Sequence, residues 1–294
     1  MRLLILGLDA LDPILVEKWN MDWFKQRVYG RHYVGFLKKL YTPIVWGCFA
    51  TGKNVEELGY NLDYIHEKRN RKLFGFLYPL YVIRKKLLPN KNLGIRNLLI
   101  KLGILKEIAY TPNMPEIMRH ESFIEVLISK GYRVYAHEVP GYNEEHNEYY
   151  RTSLAKAVEQ PFNERKKLVE EALEDTRKRV EKGLKYVIDG YDLVFVYSPL
   201  PDIAFHVVLK PTLRMKLWLR EVHYKLYNTV KPLLDAAYSN GYAVLIVSDH
   251  GFDIEKYYHS DYGFWSLNIN PPSWWKIRSI LDFKNNILRL VTEV

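Results

Sequence analysis

Four short runs of the chain, 2–8, 132–137, 193–197 and 243–247, are rich in Val, Ile, Leu and Tyr without regular polar alternation. A half-exposed strand alternates, whereas one covered on both faces does not, so these runs predict buried strands. Each ends near polar residues: Asp9, His137, Ser198-Pro199 and Ser248-Asp249-His250-Gly251. Between them the period changes. Across 163–187, Leu168, Ala172, Leu173, Val180, Leu184 and Val187 recur at helical spacing. Residues 121–129 have shorter helical character, and 216–240 is closed by Gly241, a helix stop. Strands alternating with helices predict an α/β fold around a largely parallel sheet. No internal repeat or low-complexity linker interrupts the pattern, so residues 1–294 are expected to form one domain, with 65–115 an insert or cap.

The composition, 48% hydrophobic and 26% charged over 294 residues, is that of an ordinary globular chain and excludes disordered, collagen-like and disulfide-scaffold classes. The lone Cys48 has no internal partner, no run reaches membrane-spanning length, and the apolar start ends in Asp9 rather than a small-residue cleavage site. A cytoplasmic protein is expected. Charge sharpens the picture more. The formal net charge is +9, yet residues 66–106 hold eleven bases against one acid, Glu67, leaving the rest of the chain close to neutral. The same window carries the apolar stretch 73–83 and then Leu98, Leu99, Leu102 and Leu105 at helical spacing. Either its apolar face packs on the core as a helical cap, or the insert meets an anionic surface such as lipid headgroups or a nucleotide.

Functional groups of open α/β sheets collect beyond the carboxyl ends of the strands. Three predicted strands lead to candidate metal ligands there: Asp9, Asp202 with His206, and Asp249 with His250, while His259 follows closely. If 201–206 begins a helix, Asp202 and His206 share one face. Mixed carboxylate and imidazole donors suit zinc, manganese or iron better than calcium or magnesium. Each residue also has a structural reading: Asp9 as a helix N-cap, His206 as a packed histidine, Asp249-His250-Gly251 as a turn whose glycine takes positive φ. The other histidines (His32, His66, His120, His137, His146 and His223) are expected to be structural. Thr42 precedes Pro43, which favours a helix's first position, so Thr42 is expected at the N-cap, as a mere cap or as a nucleophile facing an anionic phosphoryl group.

Leu6-Gly7-Leu8-Asp9, the block Thr42-Pro43…Trp46…Thr51-Gly52-Lys53-Asn54, Asp202…His206, Ser248-Asp249-His250-Gly251 and His259-Ser260-Asp261-Tyr262-Gly263 occur in this order. Together they resemble the type I phosphodiesterase and nucleotide pyrophosphatase branch of the alkaline phosphatase superfamily. The resemblance implies an alkaline-phosphatase-like three-layer α/β/α sandwich and a metal-dependent phosphoesterase acting on a small phosphoester. It implies two metal ions, usually zinc: one on Asp9, Thr42, Asp249 and His250, the other on Asp202, His206 and His259, with Thr42 as nucleophile and a phosphothreonyl intermediate. The chain departs from the family at Leu58-Gly59, where a His-Gly pair is common, and at Asn61 and Asp63, near the place of an Asn that binds the phosphoryl oxygen.

Rival readings follow from the same residues. A phosphomonoesterase or phosphonate hydrolase would use similar ligands. A sulfatase is excluded, because Cys48 is followed by Phe49-Ala50-Thr51-Gly52 rather than a formylglycine motif. Gly47–Lys53 fits Gly-x-x-x-x-Gly-Lys but ends in Asn54, without the hydroxyl that would hold magnesium in a nucleotide-binding loop. A non-enzymatic, metal-stabilised binder of anionic surfaces is the last alternative.

Overall fold

The computed structural model describes residues 1–88, 94, 98–99, 101–105, 110–209 and 212–293. Strands β1 (Leu3–Asp9), β3 (Val134–His137), β4 (Leu193–Pro201) and β5 (Ala243–Val247) occupy the four all-apolar runs, with β2 (Val28–Tyr33) and β8 (Tyr262–Leu267) beside them. Their order is β2-β8-β5-β1-β4-β3. β1 is parallel to both β4 and β5, and β3 is parallel to β4. β8 runs antiparallel to β5 and β2. A two-stranded ribbon, β6 (Gly251–Asp253) with β7 (Tyr258–Ser260), lies outside this sheet.

The missing alternation in β1 has a direct cause, for both faces are covered. Leu4, Leu6 and Leu8 join Val194, Val196, Val244 and Ile246 under the long helices Phe162–Ile188 and Leu213–Ser239. Leu3 and Ile5 pack on the other side against helices Thr42–Thr51, Phe123–Ser129 and Phe283–Glu293. The result is a three-layer α/β/α sandwich with a mostly parallel central sheet.

Two expectations change at helix starts. Tyr41 caps helix Thr42–Thr51, so Thr42 is its first residue and makes no capping bond. The cap of helix Pro13–Lys18 is Asp12, which accepts from the amides of Ile14 and Leu15, so Asp9 has no capping duty. The loop-like phosphate cradle is also ruled out: Gly47–Thr51 lie inside the helix, and Lys53 pairs with Glu121 at 2.5 Å.

The basic segment opens in helix Leu62–Phe74, whose Ile65 reaches the main core. Leu73 and Phe74 then form a small separate cluster with Leu105, against which Tyr78, Tyr81 and Leu99 pack. Helix Tyr78–Leu87 follows. Lys91, Arg96 and Lys106, which belong to the charge window, lie outside the described residues. Among the described residues no helix is long and apolar enough to cross a membrane.

Candidate functional site

β1 lies between β4 and β5, so three carboxyl ends distant in sequence stand side by side. β1 ends on Asp9, β4 runs straight into helix Asp202–Val207, and β5 is followed by Ser248-Asp249-His250. The β6–β7 ribbon returns His259 to the same place.

On the short helix, Asp202 and His206 share a face as expected, with His206 Nε2 3.3 Å from Asp202 Oδ1. His259 Nε2 is 3.4 Å from the same oxygen and 3.1 Å from His206 Nε2. Neighbouring ligands of a tetrahedral ion with bonds of about 2.1 Å stand roughly 3.4 Å apart, so the triangle has the size of a coordination edge. On the other side, His250 Nε2 lies 3.4 Å from Asp249 Oδ2 and 3.6 Å from Asp9 Oδ1. Two donor groups thus lie within 4.8 Å of one another: Asp202, His206 and His259, and Asp9, Asp202 and His250. Asp202 belongs to both.

The surrounding hydrogen bonds orient these donors. His250 Nδ1 donates to the Gly251 carbonyl at 3.0 Å, and His259 Nδ1 to the Leu40 carbonyl at 3.1 Å. The neutral His250 ring therefore presents a bare Nε2 lone pair inward, while the Nε2 of His259 is turned toward Asp202 and His206. The Tyr197 hydroxyl donates to Asp9 Oδ2 at 2.6 Å, and the Ala10 amide donates to Asp249 Oδ1 at 3.2 Å. That leaves Asp9 Oδ1, Asp249 Oδ2 and His250 Nε2 buried without hydrogen-bond partners. Buried polar atoms are almost always paired, and three converging lone-pair donors fit a cation.

The electrostatics point the same way. Burial, followed by the charges of Asp249 and Asp202, pushes Asp9 well above the ordinary carboxylate range. Burial also raises Asp249. Asp202 differs: burial opposes its ionisation, but the His206 and His259 imidazoles hold it well below its usual value. Burial lowers His250. Three crowded carboxylates in a dry site repel one another, and a divalent ion relieves that repulsion.

Thr42 lines a cleft of about 430 Å³ together with Asp9, Asp202, His206 and His259. Among the described residues its hydroxyl has no hydrogen-bond partner. Leu154, Ala155 and Val158 give the lining an apolar part, and Arg69 and Arg151 add guanidinium groups. Arg151 is bidentate to Glu144, at 3.0 and 2.8 Å, and Arg69 Nε donates to the Tyr110 carbonyl at 2.9 Å. Asn61 and Asp63 do not line the cleft; Asn61 caps helix Leu62–Phe74 by accepting from the Tyr64 amide at 3.0 Å.

Local pattern gave no sign of Tyr197, Arg69 or Arg151, which come from a strand and from helices Leu62–Phe74 and Asn147–Ala157 that meet only in the fold. Gly251 does not take positive φ as a turn residue. It is required by close approach, since a Cβ there would lie 2.2 Å from Asp12 Oδ2 and 2.7 Å from the Tyr262 carbonyl oxygen. His32 is buried, 3.4 Å from the Asp249 carbonyl oxygen, and supports that backbone. His66, His120, His137, His146 and His223 do not line the cleft.

No curated protein matches the chain in sequence. Among solved structures, it is similar to murine ectonucleotide pyrophosphatase / phosphodiesterase 5, with 14% identity and a TM-score of 0.39. That match covers 85% of this chain, which spans 57% of the length of the murine one. The sequence profile of type I phosphodiesterase / nucleotide pyrophosphatase matches residues 39–268, a stretch that holds Thr42 and every candidate ligand except Asp9. The chain belongs to the type I phosphodiesterase / nucleotide pyrophosphatase family.

Proposed function

We propose that the chain is a metal-dependent phosphoesterase that cleaves phosphodiester or nucleotide pyrophosphate bonds by in-line attack of Thr42. The observation that carries this reading is the convergence of unpaired buried donors around Asp9, which lines one cleft together with Asp202, His206, His259 and the Thr42 hydroxyl. Asp9, Thr42, Asp249 and His250 would hold one ion and Asp202, His206 and His259 the other. Zinc suits this nitrogen and oxygen donor set best, with manganese and iron the alternatives. Bound ions would supply positive charge to the phosphoryl oxygens and make the Thr42 hydroxyl more acidic.

The chain's own groups do the rest. Thr42 Oγ1 bonds to phosphorus as the bond to the leaving oxygen breaks, and water then hydrolyses the phosphothreonine and restores the hydroxyl. Thr42 opens its helix, so the amide end of the dipole faces the incoming anion. Tyr197 and the Ala10 amide hold two carboxylates in place. Arg69 offers a second contact for an anionic substrate, and the apolar part of the lining accommodates the leaving group.

The test is turnover of bis(p-nitrophenyl) phosphate by zinc-loaded protein beside p-nitrophenyl phosphate and a phosphonate ester. Thr42→Ala is expected to lower turnover by about a thousandfold or more, with metal content by mass spectrometry near wild type because Asp9, Asp249 and His250 remain to hold that ion. Retained turnover would remove Thr42 from the mechanism. Faster hydrolysis of the monoester or phosphonate would move the substrate assignment to those classes.

A further inference from the structure

Helix Tyr78–Leu87 turns its apolar stripe away from the protein. Phe76, just before it, is 89% exposed, and Leu80, Ile83 and Leu87 are 64%, 53% and 74% exposed. At 3.6 residues per turn, Leu80, Ile83 and Leu87 fall within about 60° of arc. The face toward the protein is filled by Tyr78 and Tyr81, the latter stacked on Phe74 at 4.5 Å. The stripe is therefore surplus to the insert's own core. Leu98, Leu102 and Ile104 add further exposed apolar side chains in the same segment.

Arg84 and Lys86 lie roughly 70° and 90° to either side of the stripe on the helix. Lys85, Arg71, Lys72 and Lys101 extend the positive charge, and Glu67 is the one acid in the window. Exposed aliphatic side chains flanked by bases form the composition of a helix lying in a membrane interface. A second copy of the chain would present the same excess of positive charge and be repelled. A polynucleotide would use the bases, but protein–DNA interfaces are polar and strongly positive, leaving four large apolar side chains without a role.

We propose that this face docks the protein reversibly on an anionic lipid bilayer, with Phe76, Leu80, Ile83 and Leu87 entering the boundary between headgroups and acyl chains. The remainder of the chain is close to neutral, so attraction to the surface orients the insert toward it. Arg69, on helix Leu62–Phe74 of the same segment, lines the cleft, so the segment that would dock also contributes to the cleft. The proposal does not depend on the catalytic reading.

The full chain is mixed with vesicles of phosphatidylcholine alone, or with added phosphatidylserine, and bound protein is measured by flotation. Binding is expected on the anionic vesicles only, weakening as salt is raised. Lys86→Glu, which reverses a charge beside the stripe, should weaken it by about tenfold. Leu80→Ser with Leu87→Ser should weaken it by a similar factor, and all three side chains are exposed, so thermal midpoints should match wild type. Equal or absent binding to the two vesicle types overturns the proposal, as does wild-type binding by the Leu80→Ser, Leu87→Ser protein. So does polyuridylate binding tighter than vesicle binding and indifferent to the serine changes, which would assign the face to nucleic acid. A concentration-dependent dimer dissolved by the serine changes would assign it to a second copy and equally overturn it.

Discussion

Asp9 illustrates how much of the site rests on single hydrogen bonds. Its Oδ2 takes the Tyr197 hydroxyl at 2.6 Å, which aims Oδ1 toward His250. Tyr197→Phe removes that orientation and leaves an acceptor buried, costing about 1–3 kcal/mol of stability. Zinc affinity, measured by chelator competition, should fall about 10- to 100-fold, as when other supports of metal ligands are removed; unchanged affinity would show that Asp9 needs no such support. Asp9 itself was legible as a polar residue closing an apolar run, but its partner was not, because Tyr197 comes from the neighbouring strand. His223 shows a different single-residue effect. Burial lowers it to about 4, against an ordinary 6.5. Between those values the unfolded chain binds a proton that the folded chain refuses, so stability is full above about pH 6.5 and declines as pH falls toward 4. The difference amounts to roughly 3 kcal/mol. In urea unfolding at pH 7 and pH 4.5, His223→Leu should show a smaller acid loss than wild type; equal losses would place the acid sensitivity elsewhere.

Among the elements, helix Thr42–Thr51 is the one whose placement the chemistry needs most. Its start is pinned by Gly141, which has φ +73°, and a Cβ there would lie 2.3 Å from the Pro43 carbonyl oxygen. The oxygen belongs to the backbone and a Cβ is fixed rigidly to its own Cα, so neither can yield without moving its segment. Gly141→Ala is expected to cost about 2–4 kcal/mol and to push the helix start out of position. Because a misplacement of about 1 Å can cost about a hundredfold in rate, kcat should drop far more than metal content, since six of the seven proposed ligands lie on other elements. Wild-type kcat in this variant would mean that the start of the helix tolerates displacement. Apolar runs and helical periods read well at this scale: 163–187 became Phe162–Ile188, and 243–247 is β5. β2 and β8 did not read; in β2, Val28–Tyr33 contains Gly30, Arg31 and His32, and its one fully buried residue is a histidine rather than an apolar one. The β6–β7 ribbon is only three residues per strand, too short to carry a period.

At the scale of the whole molecule, the placement of β1 between β4 and β5 is a long-range pairing that no local pattern contains. Motif order placed the seven candidate residues in one group; the fold adds that Asp202 stands in both donor sets. That sharing makes the site a tie between three strand ends and the β6–β7 ribbon, so its occupancy should be felt by the entire fold. Without ions, Asp9, Asp202 and Asp249 face one another in a buried space, and burial with mutual repulsion already raises Asp9 and Asp249. An ion that binds only the folded chain stabilises it by about 2.7 kcal/mol at a hundred times its dissociation constant. For a chain of this size, zinc should then raise the thermal midpoint of chelator-treated protein by roughly 5 °C or more. Asp249→Asn separates electrostatic relief from nonspecific metal effects. Replacing one of three crowded, buried carboxyl groups should leave the stripped variant as stable as stripped wild type or more so, while the rise on adding zinc shrinks. An equal rise in variant and wild type would mean that the stabilising ions bind away from the ends of β1, β4 and β5, and the two donor sets would then lose their claim to be the metal centre.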